Sequence, residues 1–225
     1  MHPRAVVFDL DGTLVDNMPL HQEAFDRFAR RHGLPPITAQ LRRRLDGQRN
    51  RDIFPILFGR PLPEDELRRY ADEKETLYRE LSPGKLRPLP GLTGFLALLE
   101  RDRIPCGIAT SAPEANVPHT LGELGLLERF PVIVRSEQVP RGKPHPDVFL
   151  EASRRLHVDP RTCLAFEDAL LGVEAAVAAG MHAVAITTTF PEHEFRSHGR
   201  ARWIVPEYLA FLRCYGGWTR QPGPA

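Results

Sequence analysis

Close to its start the chain reads Ala5-Val6-Val7-Phe8-Asp9-Leu10-Asp11-Gly12-Thr13. Ala5 to Leu10 is a short apolar run without alternation, the pattern of a strand buried on both faces. It stops at Asp9-Leu10-Asp11-Gly12-Thr13, where Gly12 marks a sharp turn. Open parallel sheets bind ligands beyond the C-terminal ends of their strands, so two carboxylates at this point are candidates for chemistry.

Downstream the pattern becomes helical. Leu20, Ala24, Phe25 and Phe28 share one face between Pro19 and Arg31. Further helices are expected over 38–45, 51–58 and 64–81. Thr38 and Pro63-Glu64-Asp65-Glu66 read as helix starts, the latter with carboxylates placed to suit the dipole. No strand is evident between Asp16 and Lys85, and Pro88-Leu89-Pro90-Gly91 marks the chain's return. Helices at 92–101, 117–126, 146–156 and 170–179 then alternate with strands at 104–110, 132–135, 162–166 and 183–187. An edge strand is expected at 202–205. This alternation predicts an α/β fold, a doubly wound Rossmann-like parallel sheet core with an inserted α-helical cap domain. Residues 1–15 and 87–215 are assigned to the core, 16–86 to the cap, and 216–225 to a flexible C-terminal tail that holds Trp218. A helical insert so soon after one strand, beside acidic residues, reads as a lid over a site.

The composition fits a globular protein of 225 residues and 25.4 kDa. Lys+Arg is 30 and Asp+Glu 29, a net charge of +1, without the basic excess of a nucleic-acid binder. Cys106, Cys163 and Cys214 are far apart and in no metal-ligating spacing, as in a reducing, cytoplasmic setting. Arg4 leads straight into the first strand, so no signal peptide is expected. The longest charge-poor stretch, 175–189, contains Gly180, His182 and threonines and is no membrane span.

The expected strand ends carry the chemistry. The first ends in Asp9 and Asp11, the second in Thr110 and Ser111, and a later one in Glu167 and Asp168; Gly142-Lys143-Pro144 lies in a loop between them. Each group alone has an ordinary role as a helix cap, turn or solvated charge. Together they form a carboxylate cluster with a hydroxyl and an ammonium. Hard oxygen ligands without His or Cys suit Mg²⁺. One Asp can act as a nucleophile, a second as acid and base, and Lys and hydroxyl can hold phosphoryl oxygens.

These residues resemble the motifs of the haloacid dehalogenase superfamily. Phe8-Asp9-Leu10-Asp11-Gly12-Thr13-Leu14-Val15-Asp16 resembles the first, Ala109-Thr110-Ser111 the second and Gly142-Lys143-Pro144 the third. Phe166-Glu167-Asp168, followed by Gly172-Val173-Glu174-Ala175-Ala176, resembles the fourth. The insert is similar to the four-helix cap of the β-phosphoglucomutase-like phosphatases. The resemblance implies Mg²⁺-dependent phosphoryl transfer through an aspartyl-phosphate. Asp9 would be the nucleophile and Asp11 the acid and base, with its carbonyl on the metal. Thr110 and Lys143 would hold the phosphoryl group, and Asp168 and Glu167 would complete the metal site with Asp9 and Asp11. Halide-displacing members lack an Asp at the position of Asp11, so the chain looks like a phosphoryl-transfer member.

One departure concerns the metal site and another the substrate. Ala169 stands where members often have Ser. In the mutases the cap carries a segment of the type Leu-Lys-Gly-x-Ser-Arg; here Leu45-Asp46-Gly47-Gln48-Arg49-Asn50-Arg51 has Asp46 in place of the Lys and a displaced Arg. Arg42, Arg43 and Arg44 are consecutive on a helix and cannot all face one ligand. Ser111, Asn116, His21, Arg49 and Arg51 are candidate substrate contacts. The expected partner is a small phosphorylated metabolite such as a sugar phosphate, not a nucleic acid or a membrane, and the expected state a monomer or weak homodimer. Phosphatase is the favoured reading. A phosphosugar mutase is the enzymatic alternative, and a phospho-Asp receiver or binding module the remote, non-enzymatic one.

Overall fold

The computed structural model describes residues 2–215. The expected tail 216–225, with Trp218, lies outside the described residues.

The strand opening the chain is β1 (Ala5–Phe8), fully buried. It lies inside a parallel sheet with β2 (Cys106–Thr110), β3 (Val132–Arg135), β4 (Cys163–Glu167), β5 (His182–Ile186) and β6 (Trp203–Val205), in the order β3-β2-β1-β4-β5-β6. The chain builds outward from β1 through β2 to β3, then crosses back to add β4 on the other side. The order therefore reverses beside β1, and a crevice opens at the C-terminal ends of β1, β2 and β4. The strand expected from Ile104 begins at Cys106, because Pro105 has no N–H for the ladder; its carbonyl still accepts from Val6 N at 3.0 Å.

Alternation along β1 divides the core in two. Val6 and Phe8 join an apolar layer with Leu96, Leu99, Phe166 and Phe211, in which Phe8 stacks on Phe166 at 5.3 Å. Ala5 and Val7 face the other layer, with Phe149, Val173 and Phe195. Helices α5 (Leu92–Arg101) and α10 (Tyr208–Tyr215) supply the first layer, and α7 (Asp147–Arg155), α8 (Leu170–Ala178) and α9 (Glu192–His198) the second. The helix expected to reach Leu126 is α6 (Asn116–Glu123); Leu126 N instead turns back to Leu121 O at 2.9 Å.

The insert between β1 and β2 is helical: α1 (Met18–Arg31), α2 (Ala39–Leu45), α3 (Asn50–Phe58) and α4 (Glu64–Leu81). It has its own apolar centre, where Phe25, Phe28, Phe54 and Tyr70 pack together. Among the described residues, no helix is long and apolar enough to cross a membrane.

Candidate active site

Asp9 follows β1 directly, and its N–H donates to Phe166 O at 2.9 Å, which ties it to β4. Glu167 closes β4 and Asp168 follows it. Lys143 reaches between them: its Nζ lies 2.6 Å from Asp9 Oδ1 and 2.5 Å from Glu167 Oε1. All four side chains are buried. One oxygen from each of Asp9, Glu167 and Asp168 lies within 4.8 Å of the others.

Each carboxylate is held differently. Glu167 Oε2 accepts from Asp168 N at 2.9 Å and Ala169 N at 3.0 Å, so both of its oxygens have donors. Gly172 permits this, since a Cβ there would lie 1.9 Å from Glu167 Oε1. Asp168 accepts from Thr13 Oγ1 at 3.1 Å and from Thr189 Oγ1. Gly12 has φ +76°, and a Cβ on it would lie 2.1 Å from Asp168 Oδ2. The sharp turn read from the sequence is thus also a close approach.

The electrostatics follow from burial. Burial pushes the Asp9 carboxyl up to about 7 against the pull of Lys143, and the Glu167 charge adds to the push. Burial, then Glu167 and Asp9, raise Asp168 well above its usual range. Burial works against the Lys143 ammonium, but Asp9 and Glu167 outweigh it and keep the group charged.

Asp11 faces the cap instead. Its Oδ1 accepts from Asn17 Nδ2 at 2.6 Å, and its Oδ2 lies 3.6 Å from His21 Nε2. Burial alone would raise Asp11, but His21 and Asn17 outweigh it and hold the carboxyl below the ordinary range. Asp11 is therefore near the Asp9, Glu167 and Asp168 cluster without its carboxylate being part of it.

Thr110 ends β2, where its Oγ1 accepts from Ala112 N at 3.0 Å. Ser111 Oγ donates to Gly47 O of the cap at 2.7 Å. A cavity of about 80 Å³ lies between cap and core, with Asp9, Asp11, Thr110, Ser111 and His21 in its walls. His21 stacks flat on Tyr78 with centroids 3.8 Å apart.

The other expected substrate contacts lie apart from that cavity. Arg49 lies across Gly142, ion-paired to Asp52 at 2.7 Å, with NH1 3.4 Å from Ser136 O. Arg51 is exposed and paired to Glu64 at 3.3 Å. Both line a larger neighbouring cleft of about 720 Å³. Asn116 is buried and clamps the cap: Nδ2 donates to Glu75 Oε2 at 2.7 Å, and Oδ1 accepts from Arg79 at 2.8 Å. Arg42, Arg43 and Arg44 diverge as their helical spacing requires. Arg42 lines the cavity, Arg43 pairs with Glu194 of the core at 2.8 Å, and Arg44 is exposed.

Sequence reasoning missed Lys74 and Glu75. Lys74 Nζ lies 2.8 Å from His21 Nδ1 and 2.9 Å from Glu75 Oε1, and it sits over the Phe25 ring at 4.3 Å. A signal was present. Lys74 falls on the α4 face that also holds Tyr70, Leu77 and Tyr78.

Residues 6–186 match the family model of the haloacid dehalogenase-like hydrolases. The chain belongs to this family. It is 38% identical over 184 residues to a phosphorylated carbohydrates phosphatase of Thermotoga maritima, covering 80% of this chain and 83% of that protein. It is 33% identical over 192 residues to a β-phosphoglucomutase of Bacillus subtilis, covering 81% and 83%. A β-phosphoglucomutase structure from Clostridium difficile superposes with a TM-score of 0.81 at 26% identity, covering 96% of this chain and 97% of that one.

In this haloacid dehalogenase-like hydrolase the donors suit a hard divalent cation. All three are carboxylates, and one ammonium leaves the group with excess negative charge in a buried place. Burial and neighbouring carboxylates raise Asp9 and Asp168, a cost that a cation held beside them would relieve. Asp9 keeps Oδ2 free of donors and each Asp168 oxygen accepts only a single hydroxyl, so both can turn a lone pair to a cation, whereas Glu167, held by Lys143 and two amides, orients the cluster.

Proposed function

We propose that the protein is a Mg²⁺-dependent phosphatase of small phosphorylated metabolites, sugar phosphates among them, working through an aspartyl-phosphate. The observation that carries this reading is the division of labour between the two aspartates of β1's end. Asp9 points to Lys143 and the carboxylate group, and Asp11 points to the cap.

Asp9 attacks phosphorus and the leaving group departs toward the cap side, where Asp11 stands. Held ionised by His21 and Asn17, Asp11 is set to take a proton from water in the second half-reaction. A bound phosphate dianion beside it raises its proton affinity, which suits it to protonate the leaving oxygen first. Lys143 and Thr110 supply donors for the equatorial oxygens, where charge sits in the transition state. Asp9, Asp168 and the Asp11 carbonyl would hold Mg²⁺, which when bound neutralises phosphoryl oxygens and the carboxylates around them. The cap excludes bulk water, with Ser111–Gly47 and Asn116–Glu75 among the bonds that seat it on the core.

Hydrolysis is favoured over mutase chemistry because Asp46 stands in place of the mutases' cap Lys, and Arg49 and Arg51, the cap arginines expected to contact substrate, lie outside the catalytic cavity. The phosphorylated-carbohydrate phosphatase relative supports the same choice. The test is phosphate release from sugar phosphates, nucleotides and simple phosphomonoesters, with Mg²⁺ or EDTA, beside Asp9→Asn. Mg²⁺-dependent release that disappears in Asp9→Asn is expected. Absence of release, with isomerisation of a hexose phosphate when a bisphosphate primer is added, would overturn hydrolysis in favour of the mutase.

A further inference from the structure

The cavity wall opposite the catalytic aspartates carries charges that the reaction does not use. Asp46, at the end of α2, lines the cavity with Arg42, Lys74 and Glu75. Lys74 and Glu75 pair with each other, and Glu75 takes further donors from Asn50 and Asn116. Arg42 turns one terminal nitrogen to Asp26 at 3.4 Å, while its buried Nε has no partner.

Asp46 is the exception among the carboxylates here. Arg42, His21 and Lys74 all act on it through space, yet its carboxylate receives no hydrogen bond from any described residue. Asp46 lines the cavity and is only half-buried, so it is accessible to an occupant. Burial pushes its carboxyl up to about 6 against the pull of Arg42 and the groups beyond it, so they do not fully compensate it. A half-buried carboxylate without donors costs free energy unless an occupant supplies them.

The occupant's chemistry follows from the wall's balance. Arg42 and Lys74 offset Asp46 and Glu75, so the wall favours neither a second phosphate nor a cation. A hydroxyl donates to a carboxylate and accepts from a guanidinium or ammonium, and is neutral. We infer that Asp46 is a specificity-determining residue that accepts a hydrogen bond from a hydroxyl of the leaving group, selecting monophosphates of neutral polyols over bisphosphates. This rests on the phosphatase reading above and adds to it the identity of the distal contact.

The experiment compares kcat/KM for sorbitol 6-phosphate, fructose 1,6-bisphosphate and p-nitrophenyl phosphate, which has no hydroxyl on its leaving group. Wild type, Asp46→Ala and Asp46→Lys are measured, with Asp46→Asn as the isosteric variant should Ala or Lys fail to fold. The readout is the ratio of each sugar substrate to p-nitrophenyl phosphate. In Asp46→Ala the sorbitol phosphate ratio is expected to fall about ten- to a hundredfold, the range for losing a hydrogen bond to a charged group, mostly through KM. Asp46→Lys is expected to raise the bisphosphate ratio. A sorbitol phosphate ratio within threefold of wild type overturns the role of Asp46, because a merely structural loss lowers all substrates together. No Mg²⁺-dependent turnover of p-nitrophenyl phosphate by wild type overturns the phosphatase reading instead.

Discussion

Lys143→Met removes the one ammonium that Asp9 and Glu167 share, at 2.6 Å and 2.5 Å. The variant's carboxylate group then has to fold with an uncompensated buried charge or with an extra proton. The proton is the cheaper choice. A carboxyl side chain titrates near ~4 when unfolded, so forcing one of the group to carry a proton costs about 1.4 kcal/mol per pH unit above that value. The loss is thus about 5 kcal/mol at pH 8 and about 1 kcal/mol at pH 5, in line with the roughly 3–5 kcal/mol seen when one partner of a buried pair is removed. The folded variant binds more protons than the unfolded chain, so its stability falls as pH rises. For a chain of this length each kcal/mol moves Tm by roughly 2–4 °C, which gives a fall of about 10–20 °C at pH 8 and about 2–4 °C at pH 5.

Thermal melts of wild type and Lys143→Met in EDTA at the two pH values test this directly. The double variant Lys143→Met/Glu167→Gln adds an internal control. Gln keeps an oxygen for the Asp168 and Ala169 amides and removes one charge, so it is expected to recover most of the loss at pH 8. A loss of the same size at both pH values, unrelieved by Glu167→Gln, would show that Lys143 stabilises through packing against Phe149 and not by charge.

Two further expectations concern the turn and the cap. Gly12→Ala needs positive φ and puts a Cβ on Asp168 Oδ2, so it is expected to lower stability by more than about 2 kcal/mol, read as a Tm fall, and to weaken Mg²⁺ binding in a calorimetric titration. The raised Asp46 contributes stability present below its unfolded value of 3.8 and lost as pH rises through about 6. Asp46→Asn is therefore expected to be more stable than wild type above pH 6, by about 1–2 kcal/mol after allowing for partial exposure, with the melts converging below pH 4.

The sheet and its carboxylates were legible because they depend on local pattern. β1, β2 and β4 are short apolar runs buried on both faces, and each delivers its polar residues at the end where the crevice opens. The cap was legible only as helices. Its contacts with the core depend on pairs far apart in sequence, such as Asn116 with Glu75 and Arg43 with Glu194, which no local signal announces. Arg49 and Asn116 were expected at the substrate from their motif neighbourhoods. In the fold, ion pairs and amide clamps occupy them. Lys74 was overlooked for the opposite reason: residue type says surface, whereas the α4 stripe of Tyr70, Leu77 and Tyr78 says interior.

That stripe also explains why the insert follows the first strand so closely. Asn17, the residue before α1, accepts from Gly12 N at 3.0 Å and donates to Asp11 at 2.6 Å, so the start of the cap is bonded into the loop that carries both aspartates. The same amide reaches Tyr78 OH at 2.6 Å, and Tyr78 lies under His21, which faces Asp11. Asp11 is consequently held by residues of the cap, while Asp9, one residue away from it across Leu10, is held by the core through Lys143. Two carboxylates so close in sequence acquire proton affinities shifted in opposite directions because their partners belong to different parts of the fold. A longer connection between β1 and the cap would break that arrangement, since only a short one lets Asn17 bond the loop and Asp11 together.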